Sequence, residues 1–152
     1  MSIYIKLADF ADCQKICDMQ RLAFNDILTR YRDYDTNPAC ETVEVIQNKF
    51  RQTFTKYYFI MKDEEIIGAV RIVEIDKSTR RISPLFILPQ FQNCGYAQLA
   101  VKCIEETYKN ISCFTLDTIK QEKKLCYLYE KLGYLRTGKE EQLHDNMTIV
   151  SV

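Results

Sequence analysis

The chain has 152 residues, 47% of them apolar and 28% charged, which suits one domain with a sizeable core. Lysine plus arginine and aspartate plus glutamate both number 21, so the formal net charge is zero, which speaks against a protein built mainly to hold nucleic acid. Apolar runs fall short of the roughly 20 residues that span a bilayer, and Met1 to Lys6 lacks the basic start and apolar core of a signal peptide. A cytoplasmic protein, unattached to membrane, is the expectation.

Taken in order, Ile3 to Leu7 reads as a strand. Asp9 or Asp12 can cap the helix that follows, which carries Phe10, Cys13, Ile16 or Cys17, Gln20 and Phe24 at helical spacing. Thr29 to Ala39 is polar, aromatic and non-periodic, punctuated by Asn37-Pro38. A second helix is expected from about Cys40 to Thr53, with Val43, Ile46 and Phe50 facing inward. Tyr57 to Met61 and Ile66 to Ile75 are strands joined by a Lys62–Glu65 turn, and Gly68 marks a bulge or a close approach. After a turn at Asp76 to Arg80 comes the stretch that organises the rest.

That stretch begins as a nearly unbroken apolar strand, Ile82 to Leu88, stopped by Pro89. Pro84 lies inside it and needs a splayed or bulged position, where its missing N–H is not required. A polar turn runs from Gln90 to Gly95. Then Ala97, Ala100 or Val101, Ile104 and Tyr108 recur at helical spacing as far as Asn110. A strand, a tight loop and a helix N-terminus together suit an anion: the first helical N–H groups lack intrahelical partners, and the dipole adds positive charge there. Gly95 lets backbone approach a ligand closely.

Cys113 to Asp117 is a short strand, and its return after a helix implies a parallel neighbour. Glu122 to Leu132 is a further helix, with Leu125, Leu128, Tyr129 and Leu132 on one stripe and Gly133 at its end. Thr137 to Leu143 and Met147 to Val152 form a hairpin around His144-Asp145-Asn146. Of seven cysteines, Cys13, Cys17, Cys103, Cys113 and Cys126 fall within apolar patterns. There is no Cys-x-x-Cys pair and only one histidine, so reduced, mostly buried thiols are expected rather than a metal site.

Two blocks carry a family resemblance. Gln92-Asn93-Cys94-Gly95-Tyr96-Ala97 resembles the Q/R-x-x-G-x-G/A signature of the GNAT family of N-acetyltransferases, preceded by Leu85-Phe86-Ile87-Leu88-Pro89, similar to that family's strand and proline. Leu128-Tyr129-Glu130-Lys131-Leu132-Gly133-Tyr134 resembles its late F/L-Y-E-K-L-G-F segment. Six residues alone would be a weak signal; two blocks separated by one helix and one strand make a strong one. The resemblance implies one α+β domain over 1–152, in the order β-α-α-β-β-β-α-β-α-β-β. Its sheet would be mixed and mostly antiparallel, of seven strands, with helices on both faces and a cleft where strands splay at the organising strand.

The same resemblance implies acetyl-CoA as the acetyl donor, with no metal. Its pyrophosphate would meet backbone N–H groups from Gln92 through Asn93, Cys94, Gly95, Tyr96 and Ala97 to Gln98. Its pantetheine arm would lie along Phe86, Ile87 and Leu88, where one N–H faces the thioester oxygen. Tyr129 matches the tyrosine that protonates the departing thiolate. Departures are Asn93 where glycine is frequent, Gln92 where arginine is frequent, and Glu122 where asparagine often contacts the cofactor; Gln121, Lys123 or Lys124 could replace that contact. Glu74, Asp76, Glu41 and Asp35 are candidate bases by position only. Ser83, His144 and Cys94 are weaker candidates for proton or nucleophile chemistry. Tyr31 to Asp35 can shape an acceptor pocket or be plain surface.

The expected activity is acetyl transfer to a primary amine by direct attack through a tetrahedral intermediate, with the acceptor, small molecule or peptide, unspecified. A second reading is a CoA-binding sensor or interaction module without useful catalysis, and a third an unrelated nucleotide binder. A homodimer through the terminal strands is compatible with the pattern, although no residue specifies it.

Overall fold

The structure, a computed structural model, describes residues 2–31, 38–92, 94–119, 140–144 and 147–151. Strand β1 (Ile3–Leu7) leads through a 3-10 turn at Phe10–Asp12 into helix α1 (Cys13–Tyr31). Both candidate caps are used: the Asp9 carboxylate accepts from the Ala11 N–H, and the Asp12 carboxylate accepts from the Asp9 N–H. The helix continues through Thr29 to Tyr31, past the expected loop boundary. Helix α2 (Val43–Arg51) starts later than expected, because Thr42 caps it by accepting from the Val45 N–H, while Pro38–Cys40 forms a separate 3-10 turn.

Strands β2 (Thr55–Lys62), β3 (Glu65–Glu74) and β4 (Thr79–Ile87) form the expected antiparallel meander, with β1 on the outer edge of β2. Helix α3 (Tyr96–Thr107) returns the chain to β5 (Cys113–Thr115), which lies parallel to β4. A second sheet joins β6 (Asp117–Ile119), β7 (Glu140–His144) and β8 (Met147–Ser151) in the order β6-β8-β7. The terminal hairpin is therefore present, and the expected strand Cys113 to Asp117 is two pieces broken at Leu116. The described residues thus form five-stranded and three-stranded sheets. The expected helix from Glu122 to Leu132 lies outside them.

Alternation along the strands sends side chains to two cores. Tyr57, Phe59, Met61, Ala69 and Phe86 pack with Ile16, Cys17 and Met19 of α1 and Ile46 of α2. Ile60, Ile67, Val70, Ile72, Ile82 and Ile87 pack on the opposite face with Ala100, Val101 and Ile104 of α3. Helices on both faces explain why β2 and β3 read as nearly continuous apolar runs. Among the described residues no helix is long and apolar enough to cross a membrane. Of the six described cysteines, Cys13 and Cys17 are buried, Cys103 is half-buried, and Cys40, Cys94 and Cys113 are exposed, so the expectation of mostly buried thiols holds only in part.

Two irregularities shape β3 and β4. Ile60 pairs with Gly68 but Met61 with Ile66, so Ile67 is the extra residue of a bulge. Val70 pairs with Leu85 but Ile72 with Ile82, which sets Ser83 and Pro84 opposite the single residue Arg71. Pro84, after a cis peptide bond, thus sits in the bulged position that its missing N–H calls for.

Tyr57 is buried and Tyr108 half-buried. Burial pushes the Tyr57 phenol well above its ordinary value, with the Glu41 carboxylate adding to the effect. Burial does the same for Tyr108, whose hydroxyl shares a 2.7 Å hydrogen bond with that of Tyr58. The unfolded phenols ionise near pH 10, while the folded ones keep their protons. The folded state therefore binds more protons above that pH, and stability present below about pH 10 is lost as pH rises through the folded values. An alkaline absorbance titration should show part of the tyrosinate signal emerging only with loss of helical circular dichroism. Late signal undiminished in both Tyr57→Phe and Tyr108→Phe would contradict this.

Candidate functional site

The candidate site is built where β4 ends. Strand β5 pairs with β4 only at Thr79, Arg80 and Arg81. From Ile82 to Ile87, that edge of β4 has no strand beside it among the described residues. The opposite edge is held by β3 to the end: the Leu88 N–H donates to the Ile67 carbonyl at 2.8 Å. Backbone groups alternate along a strand, so the Ile87 N–H and C=O point to the open edge. The Ile87 carbonyl there accepts from the Gln92 side-chain amide at 2.8 Å. Of the three backbones singled out in the sequence, Ile87 therefore faces the open edge, while Phe86 and Leu88 are committed to β3. The side chains of Phe86 and Ile87 are buried on opposite faces.

Pro89 to Phe91 makes one 3-10 turn, with the Phe91 N–H donating to Leu88 and the Gln92 N–H to Pro89. The Gln92 N–H is thus engaged within the turn, and its side chain ties the loop back to β4. Cys94 is exposed, with its thiol 3.5 Å from the Gln92 carbonyl. Gly95 caps α3 with φ 80° and ψ 8°, a left-handed conformation that disfavours any residue with a Cβ. A Cβ placed there would meet nothing within 4 Å, so the demand is conformational and the space above is open. Having no side chain, Gly95 cannot satisfy the first amides of α3. Those of Tyr96, Ala97 and Gln98 meet no acceptor among the described residues.

The loop is also clamped from the side. Lys62, at the end of β2, holds its ammonium 6.0 Å from the Phe91 ring centroid and 5.5 Å from that of Tyr96. Sequence reasoning missed this contact, since no local pattern joins the end of a hairpin strand to a loop that far downstream.

The candidate bases are engaged elsewhere. Glu41 pairs with Lys49 at 2.7 Å. Glu74 stands 3.8 Å from Arg80. Hydrogen bonds from the backbone and hydroxyl of Ser78 hold the Asp76 carboxyl below its usual range, which suits an anion better than a base. Burial raises the thiols of Cys13, Cys17 and Cys103, which makes them poor nucleophiles. Tyr129, Asn93, Glu122 with its neighbours Gln121, Lys123 and Lys124, and Asp35 lie outside the described residues, and so do the side chains of Tyr31 and His144.

A family model for the acetyltransferase (GNAT) family matches residues 16–134. A comparison with curated protein sequences finds no match. Among solved structures, spermidine N-acetyltransferase from Vibrio cholerae in complex with CoA and spermine is similar over 98% of this chain and 92% of its own, with TM-score 0.76 and 16% identity. RimL, a ribosomal alpha-N-protein acetyltransferase in complex with coenzyme A, aligns over 99% and 92%, with TM-score 0.76 and 13% identity. PaiA N-acetyltransferase from Thermoplasma acidophilum, in complex with coenzyme A, aligns over 99% and 98%, with TM-score 0.70 and 14% identity.

Proposed function

Since the chain belongs to the GNAT family of acetyltransferases, we propose that it binds acetyl-CoA in the cleft beside β4 and moves the acetyl group to a primary amine. The observation that carries this is the pairing, among the described residues, of an open strand edge at Ile87 with unsatisfied amides at Tyr96, Ala97 and Gln98. The pantetheine arm would add to that edge as an extra strand does. The diphosphate would sit over Gly95, where no Cβ stands in the way. Three solved neighbours hold coenzyme A, one of them together with spermine, which supports a CoA ligand and an amine acceptor.

Chemistry follows from the placement. A neutral amine attacks the thioester carbonyl, and the oxygen gains negative charge. The Ile87 N–H is the donor aimed at that oxygen, and a fixed donor costs no reorganisation when the charge appears. Collapse of the tetrahedral intermediate breaks the carbon–sulfur bond, Tyr129 gives its phenolic proton to the leaving sulfur, and the proton shed by the attacking nitrogen passes through water to restore the phenol. We take β5 and β6, separated only by Leu116, as one bent strand, which would join the two sheets into a seven-stranded whole.

The engagement of Glu41, Glu74 and Asp76 favours a second reading, a CoA-binding module without turnover. A thiol-release assay with acetyl-CoA and a panel of polyamines, amino acids and peptides separates the two. Release dependent on at least one amine is the expected result. Saturable binding with no release on any amine would replace the enzyme by the module.

A further inference from the structure

The loop from Pro89 to Gln98 contains no lysine or arginine. Its proposed ligand is nevertheless polyanionic, and a helix N-terminus offers only about half a positive charge. The cation held against this loop, among the described residues, comes from another strand. Lys62 is half-buried and rests on Phe91 and Tyr96, one ring from each side of the Gln92–Gly95 turn. Its acidic neighbours do not neutralise it. Asp63 accepts from the Ser2 N–H, Glu65 lies opposite it in the hairpin register, Glu64 is exposed in the turn, and no carboxylate comes within ion-pair reach among the described residues. A lysine with only solubility to serve extends its ammonium to water. This one is drawn over two aromatic faces, one of them belonging to the first residue of α3.

We propose that Lys62 binds a phosphate of the cofactor and supplies the positive charge that the loop lacks. The inference rests on the CoA reading above. The rings fix the ammonium before the ligand arrives, so little is lost in ordering it. Lys62→Met keeps an unbranched side chain in contact with both rings and removes only the charge. Calorimetry should show the variant binding CoA roughly tenfold more weakly, with Lys62→Arg restoring most of the affinity. A deficit that persists with dephospho-CoA assigns the contact to the pyrophosphate; one that vanishes assigns it to the 3′-phosphate. In turnover, the deficit should disappear when acetyl-pantetheine, which has no phosphate, is the donor. Unchanged CoA affinity in Lys62→Met, or an equal loss with acetyl-pantetheine, would overturn the assignment. Wild-type protein that fails to bind CoA would instead remove the reading on which it rests.

Discussion

Replacing Gly68 with alanine is expected to destabilise the protein by about 3 kcal/mol. A Cβ on Gly68 would run into the carbonyl oxygen of Phe86 and come within 3.1 Å of the Ile87 Cα. Both are backbone atoms of β4, so no rotamer change can make room. The strand must move, and it moves at the end that presents Ile87 to the cleft. Since domains are stable by only about 5–15 kcal/mol, the loss is a large fraction of the total. Urea denaturation of the variant, with thiol release measured on the folded fraction, checks both consequences. A midpoint near that of the wild type would show that β3 and β4 are not held as close as described.

The second large effect is kinetic. Tyr129→Phe should lower kcat by at least about tenfold while the affinity for acetyl-CoA stays near that of the wild type. General acid catalysis contributes roughly 10²–10⁴-fold where the leaving group needs a proton badly. A thiolate leaves fairly well unaided, which places this case at or below the low end of that range. The phenol has an ordinary value of about 10, matched to a weakly acidic thiol. A kcat unchanged in the variant, with CoA affinity intact, would take the role away from Tyr129. A loss of affinity with kcat intact would make it a binding residue.

Much of this arrangement was legible because it depends on local chemistry. Pro89 after an apolar run ends a strand wherever it occurs, and the change of period after Gly95 marks the start of a helix. Gly68 was readable as a bulge or close approach, and both are found there: Ile67 bulges, and Phe86 lies against it. Pro84 announced its own bulge. Boundaries were less legible where a cap competed with a period. Thr42 fixes the start of α2, although the apolar pattern runs back to Cys40. Cys113 follows the strand pattern and pairs with Thr79, the first residue of β4, yet is exposed.

What stayed hidden is long-range. Nothing near Lys62 in sequence points to Phe91 and Tyr96, and nothing near Glu41 points to Lys49 across the start of α2. The choice between Ile87 and Leu88 was hidden for a different reason. Which backbone group faces the cleft depends on the β3–β4 register, and a shift of one residue would exchange them.

In the proposed complex, backbone amides around Gly95 grip the cofactor's diphosphate. Calorimetric titration of acetyl-CoA into the wild type and into Gly95→Val tests it most directly. Valine is branched at the carbon that φ 80° disfavours, so the cap must change shape while the two cores remain. Saturable binding by the wild type, weakened at least about tenfold in a folded Gly95→Val variant, is the predicted result. Equal affinity in the two proteins, or no saturation in the wild type, would contradict the account.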